Sequence, residues 1–476
     1  MTSADRSVAY QPAVHLSQAV SSGKLRSAQL IELYLERIAR HDAKLHAFVD
    51  VYADDARKAA AAADEAIEAG HAVGPLHGLP IALKDLVDIE GRITSGGCKL
   101  WADRISPVTA TLAKRLIGAG MIVIGKTHTV EFAMGGWGTN QQLGTPWNPW
   151  DMRQHRAPGG SSAGSGVAVA AGLAPWAIGT DTGGSVRVPS GWCGLTGLKT
   201  TIGRVSVHGV LPLCPTLDTP GPMCRNAEDA AVLYNVIHGP DPGDPRTLGH
   251  AADDPMPTLA AGVAGLRLAR MPETEREGVQ SDVLDAYDAS LEALSSLGAR
   301  IVDVSLPLRF SEMAGVVGRI IGAEGYALLG ELVDNPDLPL DDDVRPRIQI
   351  GRDMSARDYL RALQERDRIK AAFGRALEGA DALLTPTAAT TAPIVESIDQ
   401  TTTPAFFTRI VNLLEYCALA LPNGMDSSGL PTSLQIICRG YEESLALRIG
   451  HAYQQATAWH EQTPPDFTQG SRYDAD

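Results

Sequence analysis

Two serines set among glycines have the surroundings for covalent chemistry. Ser161 lies in the run Gly159-Gly160-Ser161-Ser162-Ala163-Gly164-Ser165, and Ser185 ends Asp181-Thr182-Gly183-Gly184-Ser185. The Thr182–Ser185 turn offers successive backbone N–H groups with little side chain in front of them, which is how enzymes hold a developing oxyanion. A serine at its end is placed to act as a nucleophile once a base removes its proton. Upstream, Gly78-Leu79-Pro80-Ile81-Ala82-Leu83-Lys84-Asp85 sets a lone lysine at the end of an apolar strand. Lysine is a base only when neutral, and from an ordinary pKa near 10.4 that costs about 4–5 kcal/mol at pH 7. Burial in an apolar strand end removes much of this cost by lowering the pKa. Asp85 would work against the shift if it faced the site, so it is expected to point elsewhere. Taken singly, each glycine run reads more simply as a tight turn, and Lys84 as a buried partner for Asp85.

Two competing patterns fail on context. Gly120-Met121-Ile122-Val123-Ile124-Gly125-Lys126-Thr127 matches a phosphate-binding loop. Such a loop must expose the amides of its variable positions, and here those positions are the apolar residues of a core strand. Gly160-Ser161-Ser162-Ala163-Gly164 matches the nucleophile elbow of α/β-hydrolases, yet the upstream RQHRAPGG reads as a loop where that fold needs a strand. The histidines beyond residue 250, His451 and His460, fall in a C-terminal helical stretch.

In order and spacing the stretches resemble the amidase signature family. Its GLPIxxKD strand, GGSSxGS loop, DTGGSxRxP turn and CGLxGLKPT segment correspond to Gly78–Asp85, Gly159–Ser165, Asp181–Pro189 and Cys193–Thr200. The likeness continues in GKTHTVEFAMG (125–135), TLDTPGPM (216–223), DALLTPT (381–387) and GLPTSLQII (429–437), and spans roughly residues 15 to 460. The resemblance implies that Lys84 is the catalytic lysine, Ser161 a bridging serine on a cis peptide bond, and Ser185 the acyl-accepting nucleophile. It assigns the oxyanion amides to Thr182, Gly183, Gly184 and Ser185. The implied activity is cleavage of a carboxylic amide, or a related anilide, carbamate or urea-type bond, through a serine acyl-enzyme without cofactor or metal. A second branch of the family, the glutamine-hydrolysing subunit of tRNA-dependent amidotransferases, is the alternative. Met134, Gly135, Gly136 and Trp137, with Trp192, are expected to line the substrate pocket, where flat aromatic surface would cap an acyl group. Trp101, Trp147 and Trp150 are expected to pack. Ala163, Leu86, His128 and Thr200 depart from the family's usual residues. His128 is expected to serve as a structural donor, not a base.

Positioning these groups requires a layered sheet. Apolar runs bounded by glycine or proline (Pro80–Leu83, Met121–Ile124, and Val167–Ala171 leading to Trp176–Ile178) alternate with helical stretches such as Ala110–Ala119. This is the pattern of strands and helices in one α/β sheet. Later strands are expected at Leu266–Ala269, Ile301–Val304, Ala382–Thr385 and Ser433–Ile437, with a helix over Ser281–Leu297. Near the start, Ser27 is expected to cap a helix bearing Leu30, Ile31, Tyr34, Leu35 and Ile38, followed by a helix over Asp55–Ala69. Segment 334–346 reads as an exposed excursion between helices. The expected fold is α/β: a single amidase-signature domain with a mixed central sheet of about ten or more strands, covered by helices on both faces. Residues 1–70 would form an N-terminal helical segment and 71–238 the catalytic core. Residues 239–476, starting at the turn-rich GPDPGDP, would form the remainder, with a helical excursion near 310–380.

Composition narrows the function classes. A net charge of −15 disfavours a dedicated nucleic-acid binder. With 44% apolar and 20% charged residues the chain is neither disordered nor a coiled coil. No signal-like or spanning segment is evident, and six scattered cysteines read as reduced, buried thiols, so a soluble cytoplasmic enzyme is the expectation. The expected partners are a small-molecule amide and water, with no direct contact to nucleic acid or membrane and with a homodimer allowed. Of 48 glycines, eleven fall in residues 159–198, which places the excess at the two serines.

Overall fold

The apolar stretch before Lys84 forms a strand buried on both faces, and that burial governs the architecture around it. The computed structural model describes residues 8–71 and 73–467. Residues 1–7, 72 and 468–476, at the edges of the expected N-terminal segment, core and C-terminal remainder, lie outside them. The strands in chain order are β1 Phe48–Val51, β2 Pro80–Lys84, β3 Ile122–Thr127, β4 Ala177–Asp181, β5 Thr196–Lys199 and β6 Thr219–Cys224. They continue with β7 Arg267–Arg270, β8 Arg300–Val302, β9 Ala382–Pro386, β10 Cys417–Met425 and β11 Pro431–Cys438. Together they form an eleven-stranded sheet in the order β1-β3-β2-β4-β6-β5-β10-β11-β9-β7-β8.

The sheet is mixed, as expected. β2 lies parallel to both β3 and β4, and β7 lies parallel to β8 and β9, while the remaining pairs are antiparallel. Every residue of β2, β4, β5, β6, β9 and β11 is buried. Strands of this kind require helices on both faces of the sheet. The pairing of β5 with β10 (Leu198 opposite Leu419) carries the sheet across the turn-rich 239–245 segment. One contiguous apolar core reaches from Ala9 to Phe467. Among the described residues, no helix is long and apolar enough to cross a membrane. All six cysteines are buried and free of disulfides.

Three local expectations are corrected. Residues 1–70 are not helical throughout, because Phe48–Val51 pairs with β3 as an edge strand of the sheet. Ser27 is the first residue of the helix Ser27–Leu45, not its cap, and its Oγ donates to the Gly78 carbonyl at 2.6 Å. The helix start is capped by Asp64 of the helix Ala53–Glu68, which accepts from the N–H groups of Ser27 (2.7 Å) and Ala28 (3.0 Å). A carboxylate satisfies two free amides and favours the positive helix end, which a serine hydroxyl does less well. Val167–Ala171, grouped above with the apolar runs, lies mostly in the helix Ala163–Ala170, every residue of which is buried. A helix buried all round has no polar face to give its period away. The excursion consists of the helices Phe310–Val333, Val344–Gln349 and Ala356–Ala376, with 334–346 leading from the first into the second.

Candidate active site

Parallel pairing aligns the C-terminal ends of β2 and β4 (Leu83 opposite Ile178), so Lys84 and the turn after Asp181 emerge on the same edge. The Gly159–Ser162 loop crosses that edge before the helix Ala163–Ala170. Lys84 Nζ lies 2.8 Å from Ser161 Oγ and 2.8 Å from Thr180 Oγ1. The Gly160–Ser161 peptide bond is cis. The loop is pinned by its backbone: Gly160 N–H donates to Gly136 O at 2.7 Å, and Ser161 O accepts from Val130 N–H and Thr129 Oγ1. A Cβ at residue 160 would come within 2.6 Å of the Gly138 nitrogen, so the position admits only glycine. Ser162 N–H donates to Ser185 O at 3.3 Å, tying the two serine segments together.

The Ser185 turn is built on Asp181. Its buried carboxylate accepts from Gly184 N–H (2.8 Å), Val186 N–H (3.1 Å) and both Nε and Nη2 of the buried Arg187. Burial alone would push the Asp181 pKa up. The Arg187 guanidinium, together with Lys199 and Asn412, outweighs it and holds the carboxyl well below the usual range. Gly184 has φ +136, and a Cβ there would sit 2.2 Å from Thr408 Oγ1. Because the Gly184 amide is engaged by Asp181, the expected oxyanion set shrinks. The amides of Thr182, Gly183 and Ser185 are left for a ligand.

Burial lowers the Lys84 pKa from its usual 10.5 to about 7, although Asp181 and Asp218 pull the other way. Asp85 turns away, as anticipated. It accepts from Ser95 N–H and Oγ, and it faces Lys126 Nζ at 3.5 Å. Lys126, the lysine of the phosphate-loop pattern, is thus a buried strand residue. His128 departs from its expected role as donor. Among the described residues neither of its ring nitrogens makes a well-formed hydrogen bond, and burial lowers its pKa to about 4 against a weak pull from the backbone of Leu143 and Thr129. Its backbone carries the structural load, accepting from Gly164 N–H and donating to Ala47 O.

Ser185 opens onto a cavity of about 220 Å³. Thr182, Gly183 and Gly184 line it, as do Met134, Gly135 and Gly136. Trp137 and Trp192 do not. They stack on each other at 5.8 Å in a separate small cluster with Ala157 and Val188. Their indole N–H groups are spent on the carbonyls of Thr402 and Thr390. An aromatic pair that finds both an apolar partner and its own acceptors has no need of the cavity. The rest of the lining was not anticipated: Ile321 and Gly322 of the long helix, then Arg347, Ala405 and Arg409. The only sequence signal for any of it is Gly318 with Gly322, four apart on one helix face.

Residues 29–447 match the sequence profile of the family described as Amidase. The A-type subunit of the glutamyl-tRNA(Gln) amidotransferase from Chloroflexus aurantiacus is 37% identical over 472 residues, covering 94% of this chain and 96% of its own. The peptide amidase of Stenotrophomonas maltophilia has the same fold, with a TM-score of 0.85 at 29% identity over 96% of this chain and 99% of its own. A structure solved as part of a vestigial complex bearing on the origins of an s-triazine catabolic enzyme gives a TM-score of 0.87 at 30% identity. That match covers 94% of this chain and 98% of the other.

Proposed function

Because the chain belongs to the amidase signature family, we propose that it is a cytoplasmic amidohydrolase. Its bond is the C–N bond of a carboxylic amide, or of a related anilide, carbamate or urea-type group, cleaved through an acyl-enzyme on Ser185. The observation that carries this reading is a buried lysine, poised near neutrality, 2.8 Å from a serine hydroxyl beside the cavity that Ser185 lines. Neutral Lys84 has two N–H bonds and one lone pair. It donates to Thr180 Oγ1 and accepts the Ser161 proton as Ser161 Oγ takes the proton of Ser185. Ser185 Oγ attacks the carbonyl carbon, and the amides of Thr182, Gly183 and Ser185 hold the resulting oxyanion. The protonated Lys84 returns its proton through Ser161 to the leaving nitrogen, the C–N bond breaks, and an ester remains on Ser185. Water gives up a proton to the same relay and attacks that ester, which releases the acid and restores the Ser185 hydroxyl. A pKa near 7 leaves much of Lys84 already neutral, sparing most of the ~4–5 kcal/mol that an ordinary lysine would need.

The second reading is the glutamine-hydrolysing subunit of an amidotransferase, favoured by the 37% identity to a protein of that name. A panel of anilide, primary amide, carbamate and glutamine separates the two. Turnover of an anilide or a carbamate by the isolated chain would favour the first reading. Ammonia release from glutamine only when partner proteins are added would favour the second reading.

A further inference from the structure

The cavity at Ser185 carries the opposite sign to the rest of the molecule. The chain as a whole has a net charge of −15, yet this wall holds two arginines, Arg347 and Arg409, and among the described residues no aspartate or glutamate. The two are not equivalent. Arg347 is anchored: Nη1 donates to Met134 O at 3.2 Å, and Nη2 donates to Gln400 O at 2.6 Å and Gln400 Oε1 at 2.7 Å. Arg409 is half-buried, and among the described residues nothing accepts a hydrogen bond or makes an ion pair with its guanidinium. Burial and the neighbouring Arg347 charge both act against the Arg409 cation, and the cavity lining offers it no carboxylate, while Asp343 and Asp341 act on Arg347 from outside that lining. The buried carboxylates around the wall are engaged elsewhere: Asp341 accepts from the amides of Gln141 and Val344, Asp181 pairs with Arg187, and Asp218 accepts from Thr182 Oγ1 and the amides of Leu213 and Cys214.

Arg409 is also held at a fixed offset from the reaction site. Arg187 Nη1 donates to Thr408 O at 2.9 Å and its Nη2 to Asn412 Oδ1 at 2.7 Å. Thr408 Oγ1 donates to Gly183 O at 2.8 Å. These bonds lock the 408–412 segment to the turn that bears Ser185, and the Arg409 stem lies over Gly183, where a Cβ would come within 3.3 Å of its Cγ. A planar, permanently charged fork left unpaired and half-buried fits a carboxylate that arrives with the ligand.

Resting on the amidohydrolase reading above, we propose that the substrate is an anionic amide: a small monoamide of a dicarboxylic acid whose free carboxylate pairs with Arg409 while Ser185 attacks the amide carbonyl. A cavity of about 220 Å³ suits a short chain between the two groups. An α-ammonium group, as in glutamine, finds no carboxylate in this wall, so glutaramate is expected to be the better substrate of the two.

The test compares succinamate with butyramide, a neutral amide of similar length, and glutaramate with glutamine, in the wild-type chain and in Arg409→Met and Arg409→Lys. The wild type is expected to favour succinamate over butyramide by about 100-fold or more in kcat/KM. Arg409→Met should bring that ratio below about tenfold, and Arg409→Lys should recover part of it. Thermal unfolding checks that both variants fold. A wild type with no preference for succinamate, a ratio unmoved in Arg409→Met, or glutamine turned over faster than glutaramate would overturn the proposal. Covalent labelling of wild-type Ser185 by a neutral serine-directed phosphonate keeps the two claims apart. Labelling without anion preference refutes the substrate assignment alone, and loss of labelling refutes the amidohydrolase reading beneath it.

Discussion

Lys84 and Lys126 are buried at the ends of adjacent parallel strands, with Lys126 opposite Leu83, and they have opposite surroundings. Lys126 faces the Asp85 carboxylate at 3.5 Å and donates to Thr94 Oγ1 at 2.7 Å. Among the described residues, Lys84 Nζ hydrogen-bonds only to the hydroxyls of Ser161 and Thr180. Burial lowers both pKa values. Direct contact with a carboxylate is what separates a structural ion pair from a group able to shuttle protons. The difference also shows why sequence adjacency misleads. Successive strand residues point to opposite faces, so Asp85 is carried away from its neighbour Lys84 and meets the lysine of the next strand.

The comparison breaks most sharply on activity. Lys84→Met is expected to cut kcat/KM by about 10⁴-fold or more, on the scale of removing one member of a catalytic unit. Lys126→Met should leave turnover of the folded protein within about tenfold. If both variants lost activity alike while folded, the contrast between the two lysines would fail.

Stability should reverse the order. Lys126→Met strands the buried Asp85 carboxylate and is expected to destabilise by about 3–5 kcal/mol in chemical denaturation. Lys84→Met removes a group whose charged form is penalised in the folded state. With the folded pKa at about 7 and the ordinary value at 10.5, the unfolded chain binds the extra proton between those limits. The wild type therefore gains stability as pH rises through that window. The Met variant should accordingly be more stable at pH 7, on the order of 4 kcal/mol, with an advantage that fades towards pH 10.5. An advantage of constant size from pH 7 to 10.5 would contradict the assigned shift.

The smallest effect is the pH profile itself. Wild-type kcat/KM should rise as pH climbs through about 7 and then level off, because the relay needs neutral Lys84. A flat profile between pH 6 and 9 would count against a lysine base.

What is legible in the chain follows from where the information resides. Lys84, Ser161, Ser185 and the intervening turn sit in short segments whose residue types are dictated locally, by close backbone approach and by strand burial. β2, β3, β9 and β11 are visible as apolar runs bounded by punctuating residues. Val167–Ala171 is ambiguous because an Ala/Gly run buried on all sides has no period. Trp137 and Trp192 lie close in sequence to cavity residues, yet tertiary packing turns them onto each other. Arg347 and Arg409 reach the cavity from segments more than a hundred residues after the nucleophile, and an isolated arginine carries no local pattern. The engaged amide of Gly184 likewise depends on the geometry of Asp181, since the glycine count says only that the backbone is accessible.

Whether neutral Lys84 activates Ser185 through Ser161 is decided by covalent trapping with a small neutral phosphonate, followed by peptide mass analysis across pH. A single adduct on Ser185 is expected, forming faster as pH rises through about 7 and lost in Lys84→Met. An adduct on another serine, or one that forms at the wild-type rate in Lys84→Met, would rule the relay out.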